Sequence, residues 1–399
     1  MHRRQAPQRR DGRGARGPAG LLRRRRAGRP SRPGARVTGP GRPPRVVALG
    51  GGHGLAASLR ALRLVTPDVT AVVTVADDGG SSGRLRREFA HLLPPGDLRM
   101  ALAALAGDDP PGGAADGGLW RRVFQHRFDG AGELAGHAVG NLVLAGLADV
   151  LGGTVPALDA AARLLETSGR VLPMALVPLD IVADVAGLDP DDPGAVAEVV
   201  GQVAVATTSG QVVGVRLRPE EPPACPDAVA AIESADWVVL GPGSWFTSVL
   251  PHLLVPGIAS ALIGTSARRA VVLNICAQQG ETTNFSPETH LEVLAAFAPG
   301  LELDVVVANE GTTPDPSVLV DAARTLGAEV VLAGVATDDG SPRHDPARLA
   351  KVYDQILAGA APPAGRGASS PINERMPDGT RRFRAGRARV DREGHPRWR

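Results

Sequence analysis

Several short segments combine glycine, hydroxyl, carboxylate and amide groups in patterns suited to holding a phosphorylated ligand. Gly50-Gly51-Gly52-His53-Gly54 lies between an apolar run and a helical stretch. Glycines there let backbone approach a ligand, and a following helix aims its first N–H groups at an anion. The segment lacks the Gly-Lys-Ser/Thr of a P-loop and the full dinucleotide fingerprint. A tight packing turn is therefore an equal reading. Asp77-Asp78-Gly79-Gly80-Ser81-Ser82-Gly83-Arg84 offers adjacent carboxylates for a cation or a ribose, several amide and hydroxyl donors, and a guanidinium fork for phosphate. A solvated turn with an Asp cap is the alternative.

Asp97, after Pro94-Pro95-Gly96, reads first as the N-cap of the helix that follows. His137 and Asn141 are four apart and share one face if helical, so they can reach one ligand together; a structural His is the bland reading. Gly241-Pro242-Gly243-Ser244 follows a buried run and precedes a helix, as a second anion site would. Two such loops on one sheet suit a ligand with two phosphates. Asn274 ends a strand, and Gln279-Gly280-Glu281-Thr282 follows. Arg343 stands just before Asp345-Pro346, an ordinary helix start with Asp as N-cap and Pro at the first position, and can reach a phosphate.

The elements that must position these groups are legible in outline. Apolar runs at 46–49, 69–76, 236–240, 270–275, 303–308 and 329–334 read as buried strands. Helices fit 55–64, about 97–106, 118–127, 138–150, 226–234, 245–254, 287–297, 315–326 and 345–358. This alternation predicts an α/β, doubly wound and mostly parallel sheet. Residues 171–218 differ. They hold short strand-like runs (Val171–Val177, Ile181–Val185, Gln202–Ala206, Gln211–Leu217) with no crossover helices, and predict a small antiparallel insertion.

Charge is segregated. Residues 1–44 carry 14 Arg and one acid, residues 361–399 carry 10 Arg and four acids, and the body between them stands at −17 although the whole chain is +2. The ends have almost nothing apolar to bury and are expected to be disordered. A start of translation downstream of Met1 is a second reading of the N-terminal segment. The basic ends make the pI a poor argument for nucleic-acid binding, which is not expected. Two cysteines, Cys225 and Cys276, form no CxxC pair, so a reducing cytoplasm is the expected setting. No apolar run is long enough for a membrane span.

Taken in order, the segments resemble the gluconeogenesis-factor (CofD-like) family. The resemblance lies in Gly-Gly-Gly-x-Gly at 50–54, Ala-Asp-Asp-Gly-Gly-Ser-Ser-Gly-Arg-Leu-Arg at 76–86 and Pro-Pro-Gly-Asp-Leu-Arg at 94–99. It continues in Gly-His-Ala-Val-Gly-Asn-Leu at 136–142, Leu-Gly-Pro-Gly-Ser at 240–244, Thr-Ser-Val-Leu-Pro-His-Leu-Leu-Val-Pro-Gly-Ile at 247–258 and Gln-Gly-Glu-Thr at 279–282. It covers residues 45–360. It implies a Rossmann-like fold shared with 2-phospho-L-lactate transferases, and binding of UDP-N-acetylglucosamine or a related UDP-sugar. It further implies a regulatory part in cell shape, morphogenesis and cell-wall precursor supply during gluconeogenic growth, exerted through a protein partner. The expected ligand-binding residues are Gly51, Gly52, His53, Gly54, Asp77, Asp78, Gly79, Gly80, Ser81, Ser82, Arg84, Asp97, His137, Asn141, Gly243, Ser244, Asn274 and Arg343. The chain departs from the commoner pattern at His53 (usually Thr), Met100 (often Asn) and Trp245-Phe246 (Leu-Tyr).

Two functions stay open. One is a non-catalytic UDP-sugar-binding regulator, with no catalytic residue and no cofactor assigned. The other is a phospholactate-transferase-like enzyme using a nucleotide diphosphate donor, with Mg²⁺ held by Asp77 and Asp78. Assembly into a homo-oligomer also stays open.

Overall fold

Strand Val46–Gly50 (β1) is buried along its whole length, as a parallel strand covered by helices on both faces must be. It lies at the centre of the computed structural model, which describes residues 42–107, 116–192, 194–278, 280–283 and 285–359, with the short pieces Arg389–Val390 and Pro396–Arg397. The chain divides into two units, Met1–Gly34 and Ala35–Arg399. The first lies outside the described residues, as does most of 361–399, so the expectation of disorder at both ends falls outside them too.

The other strands of the main sheet are Val69–Val73 (β2), Arg170–Pro173 (β3), Trp237–Leu240 (β7), Arg268–Val272 (β8), Val305–Asn309 (β9) and Glu329–Ala333 (β10). Between β3 and β7 come Asp180–Ala186 (β4), Val196–Val200 (β5) and Gln211–Arg218 (β6). The main sheet has the order β10-β9-β8-β7-β1-β2-β3, and every neighbouring pair is parallel. The chain runs from β1 through β2 to β3 at one edge, then returns to lay β7 on the other side of β1. Strand order therefore reverses between β1 and β7, where open α/β sheets bind ligands beyond the carboxyl ends of their strands.

The helices are Gly52–Leu62 (α1), Gly80–Glu88 (α2), Pro95–Leu105 (α3), Asp116–Gln125 (α4), Val139–Leu151 (α5), Thr154–Leu164 (α6), Gln202–Ala206 (α7), Pro226–Ser234 (α8), Pro256–Gly264 (α9), Pro287–Phe297 (α10), Pro316–Thr325 (α11) and Pro346–Leu357 (α12). The doubly wound, Rossmann-like α/β fold is the one the sequence predicts. No single helix among the described residues is long and apolar enough to cross a membrane.

Four local readings change. Residues 80–88, read as loop, form α2, anchored to α3 where Gly96 N donates to Ser82 Oγ at 3.0 Å. The run read as the first insertion strand instead supplies β3, a parallel neighbour of β2, because α6 provides the crossover that brings it there. The insertion proper is antiparallel, in the order β5-β4-β6, and Pro396–Arg397 adds at the β6 edge. Gln202–Ala206, alternating and β-branched, is helical: Gly201 turns with φ 103° after β5, and the distant Asp78 carboxylate accepts from Val203 N at 3.0 Å. Finally, 245–254 is a π-helical turn, Trp245–Val249, followed by 3₁₀ turns over Leu250–Leu254 that contain Pro251.

Candidate functional site

The two glycine loops meet at the strand reversal. β1 leads into Gly51–Gly54, and β7 leads into Gly241–Ser244. Gly54 packs backbone against backbone on the second loop, so that any Cβ there would lie 2.6 Å from Gly243 Cα. Over this junction opens a cleft of about 800 Å³, within the ~300–1,000 Å³ usual for small-molecule sites. Gly51, Gly52, His53 and Gly54 form one wall, Gly243, Ser244 and Asn274 a second, and Arg343 a third. Eight of the eighteen expected residues thus line one cavity.

The two loops are electrostatically unlike. α1 begins with no side-chain cap and no acid in its first turn. The N–H of Gly52 is taken by Asp97, while those of His53 and Gly54 have no acceptor among the described residues. Unpaired N–H groups and the positive end of the helix dipole suit this loop to an anion. The second loop is already occupied. Gly243 N donates to Asn274 Oδ1 at 3.0 Å. The next amide, Phe246 N, donates to Glu281 Oε2 at 2.9 Å, and Thr247 Oγ1 donates to Glu281 Oε1 at 2.6 Å. The Trp245 and Thr247 amides face the same carboxylate; burial pushes the Glu281 carboxyl up, and these donors pull it down. The expectation of an open helix N-terminus after Gly243-Ser244 is therefore corrected: a buried carboxylate from 35 residues away fills it. Ser244 still faces the cleft and accepts from Gln278 Nε2 at 3.2 Å.

The other ten expected residues do not line the cleft. They form a polar layer beside it, joined to it by Asp97. Asp97 is not the N-cap of α3, a position held by Pro94. It is a first-turn residue whose carboxylate turns back beneath Gly51 and Gly52, with Oδ2 buried and without a partner. Burial, and then Asp77, push its carboxyl up to about 7. Asp77 accepts from Gly79 N at 3.0 Å, whereas Asp78 is turned away to α7, so the two adjacent carboxylates diverge. Gly80 stands exposed at the start of α2.

His137 and Asn141 do meet, but on Ser81: His137 Nδ1 lies 2.9 Å from Ser81 Oγ, and Asn141 Nδ2 donates to that oxygen at 3.0 Å. Asn141 Oδ1 accepts from Arg99 Nε at 2.9 Å; burial pulls the Arg99 guanidinium down to about 10. Burial and Arg84 hold His137 below its ordinary value. Arg84 spends its fork on the carbonyls of Glu133 and Ala135, at 3.1 and 2.8 Å, not on the cleft.

Sequence reasoning missed Arg60, Ser248, Gln278 and His344 on the cleft walls. It also missed Thr74, whose buried Oγ1 lies under the first loop without a partner. Arg60 is signalled by its helical spacing from the glycine loop; the others carry no local signal. Among the described residues, no three His, Cys, Asp or Glu side chains converge as a metal-binding set.

A CofD family model, described as 2-phospho-L-lactate transferase, matches residues 46–336. The chain is 55% identical over 341 residues to a Mycobacterium tuberculosis H37Rv protein described as "Putative gluconeogenesis factor", covering 84% of this chain and 97% of that one. It is 33% identical over 331 residues to the "Gluconeogenesis factor" of Bacillus subtilis 168, covering 79% and 99%. A crystal structure of a Bacillus halodurans member of the UPF0052 family superposes with a TM-score of 0.67 at 30% identity, covering 77% of this chain and 98% of that one.

Proposed function

Since the chain belongs to the CofD-like gluconeogenesis-factor family, we propose that it is a cytoplasmic nucleotide-sugar-binding regulator. Its ligand is UDP-N-acetylglucosamine or a related UDP-sugar, and its output is wall-precursor supply and cell shape during gluconeogenic growth, delivered through a protein partner. One observation carries the reading: the uncapped start of α1 opens into a nucleotide-sized cleft at the strand reversal. The diphosphate sits on the free N–H groups of His53 and Gly54, with Arg343 across the cleft. Amides and hydroxyls of Asn274, Gln278 and Ser244 supply neutral polar contacts. Of the cleft groups suited to proton transfer or attack, His53 and Cys276 have no hydrogen-bonded partner among the described residues and His344 Nε2 is buried without one, so none is set against a base or nucleophile, which favours binding over turnover.

The second reading is a phospholactate-transferase-like enzyme. The partnerless, buried Oδ2 of Asp97 beside Asp77 supports it. A divalent cation would be held by Asp77 with Asp97, rather than by Asp77 with Asp78, and would offset diphosphate charge. Calorimetric titration of the full chain with UDP-N-acetylglucosamine, with and without Mg²⁺, followed by chromatography of the recovered ligand, separates the two. Saturable binding with intact ligand is expected. Cleaved or transferred ligand would move the assignment to the enzyme, and binding of GDP or GTP without the UDP-sugar would do the same.

A further inference from the structure

A second cavity, of about 610 Å³, lies beside the cleft. α7 touches the cleft through its first residue, Gln202, and this cavity through its last, Ala206. The remaining walls are the 207–211 turn into β6 and Gly280, Glu281, Thr283 and Phe285, ahead of α10. These walls are pinned together. Gly280 is left-handed at φ 87°, and any Cβ on it would collide with the Ala206 carbonyl. The loop can approach α7 this closely only with glycine there.

We propose that this cavity binds an uncharged pyranose ring. Among the described residues on its walls, Glu281 is the only charged side chain, and that carboxylate is already held by the Trp245–Thr247 turn. Among those residues no cation awaits an anionic ligand, and no free carboxylate awaits a cationic one. The remaining polar groups suit sugar hydroxyls. Thr208 and Thr283 accept from Gly210 N and Gly280 N, at 3.4 and 3.2 Å, which leaves each O–H free to donate. The side chains of Ser209 and Gln211 have no partner among the described residues. Phe285 supplies the apolar wall that the C–H face of a pyranose needs. Edge-to-face contacts with Phe246 and His290, at 5.8 and 5.4 Å between ring centroids, hold it in place. The ring comes either from a free N-acetylated sugar or from the sugar half of a nucleotide bound in the cleft; only the second source rests on the function proposed above.

The test is saturation-transfer NMR on the full chain, with N-acetylglucosamine, UDP, UDP-N-acetylglucosamine and glycerol as separate probes. Wild type is compared with Ser209→Trp, which fills the cavity from an exposed turn, and with Gln211→Ala, which only removes an exposed amide. Transfer to N-acetylglucosamine is expected in the wild type, lost at least fivefold in Ser209→Trp and reduced in Gln211→Ala, with UDP signals unchanged in both. Absence of transfer to the sugar, equal transfer in all three proteins, or an equal signal from glycerol would overturn the proposal. If UDP does not bind but the sugar signal keeps its sensitivity to Ser209→Trp, the cavity stands and the nucleotide reading of the cleft falls. If UDP binds and the sugar does not, the reverse holds. Free sugar that displaces UDP-N-acetylglucosamine but not UDP marks the nucleotide's own ring as the occupant, and displacement of neither marks a separate ligand.

Discussion

The loops after β1 and β7 share a grammar: a buried strand, a glycine-rich turn and a helical start, side by side at the carboxyl ends of two central strands of one sheet. Their chemistry differs. The first leaves N–H groups of α1 free at the cleft. The second gives its N–H groups to Glu281 and Asn274 before any ligand arrives. A glycine-rich turn before a helix is thus permission for an anion site and not its proof, because a carboxylate far along the chain can occupy the position first. On the function proposed above, the second loop serves as a wall and the first as the seat. Perturbing each loop separately tests that division.

The largest effect is expected at Glu281. Glu281→Ala leaves the amides of Trp245, Phe246 and Thr247 buried with no acceptor, at a cost of about 1–3 kcal/mol for each unsatisfied donor; Glu281→Gln, which keeps an acceptor oxygen, costs less. Denaturant unfolding measures both. Acetate or formate should partly rescue the alanine variant and leave the wild type unmoved. A stability loss below 1 kcal/mol would mean that the second loop is open after all. Next comes Gly54→Val, whose side chain drives into Pro242 and Gly243. The expected overpacking penalty is about 2–3 kcal/mol, with UDP-sugar binding lost even where the variant is folded, because the loops must part. Arg343→Ala is milder. Its side chain is exposed and already paired with Asp339 at 2.8 Å, so unfolding should not change, while UDP-sugar affinity falls by about 1–2 kcal/mol. Unchanged affinity in calorimetry would remove Arg343 from the site.

Much of the frame was legible in the sequence because its signals are local. β1, β2, β7 and β9 are apolar runs bounded by turns, and the Asp345-Pro346 start of α12 appears as expected, with Asp345 Oδ1 accepting from Ala347 N and Arg348 N. The glycine loops were found for the same reason. What sequence could not give is pairing across distance. Asp78 serves a helix 125 residues on, and that contact makes α7 a helix where composition says strand. His137 and Asn141 were read as sharing a helical face toward one ligand; His137 instead lies ahead of α5, and the two meet on the hydroxyl of Ser81, on a helix whose serine- and glycine-rich start reads as a loop. Asp97 shows a signal that was present and misjudged. With Pro95 at the first helical position, Asp97 falls in the first turn, three residues past the cap Pro94, so its carboxylate was free to serve another loop.

That carboxylate sets the most discriminating prediction. Glu281, under the second loop, has its oxygens engaged; Asp97, under the first, keeps Oδ2 buried and unpartnered. Burial, and then Asp77, raise its carboxyl from the ordinary 3.8 to about 7. The folded chain then holds a proton through a pH window in which the unfolded chain has released it, so stability falls as pH rises from about 4 to about 7 and levels off above. Asp97→Asn removes this titration. The stability of the variant relative to wild type should therefore climb with pH across that window, by about 1 kcal/mol per unit at most, and stay constant above it. Urea midpoints at pH 5, 6, 7 and 8 give the sign. A difference that stays flat would mean that Asp97 ionises as an ordinary carboxylic acid, and that the first loop rests on a fixed charge. A rising difference would make the first loop the adjustable one of the two, its footing set by a single proton next to the seat for the ligand.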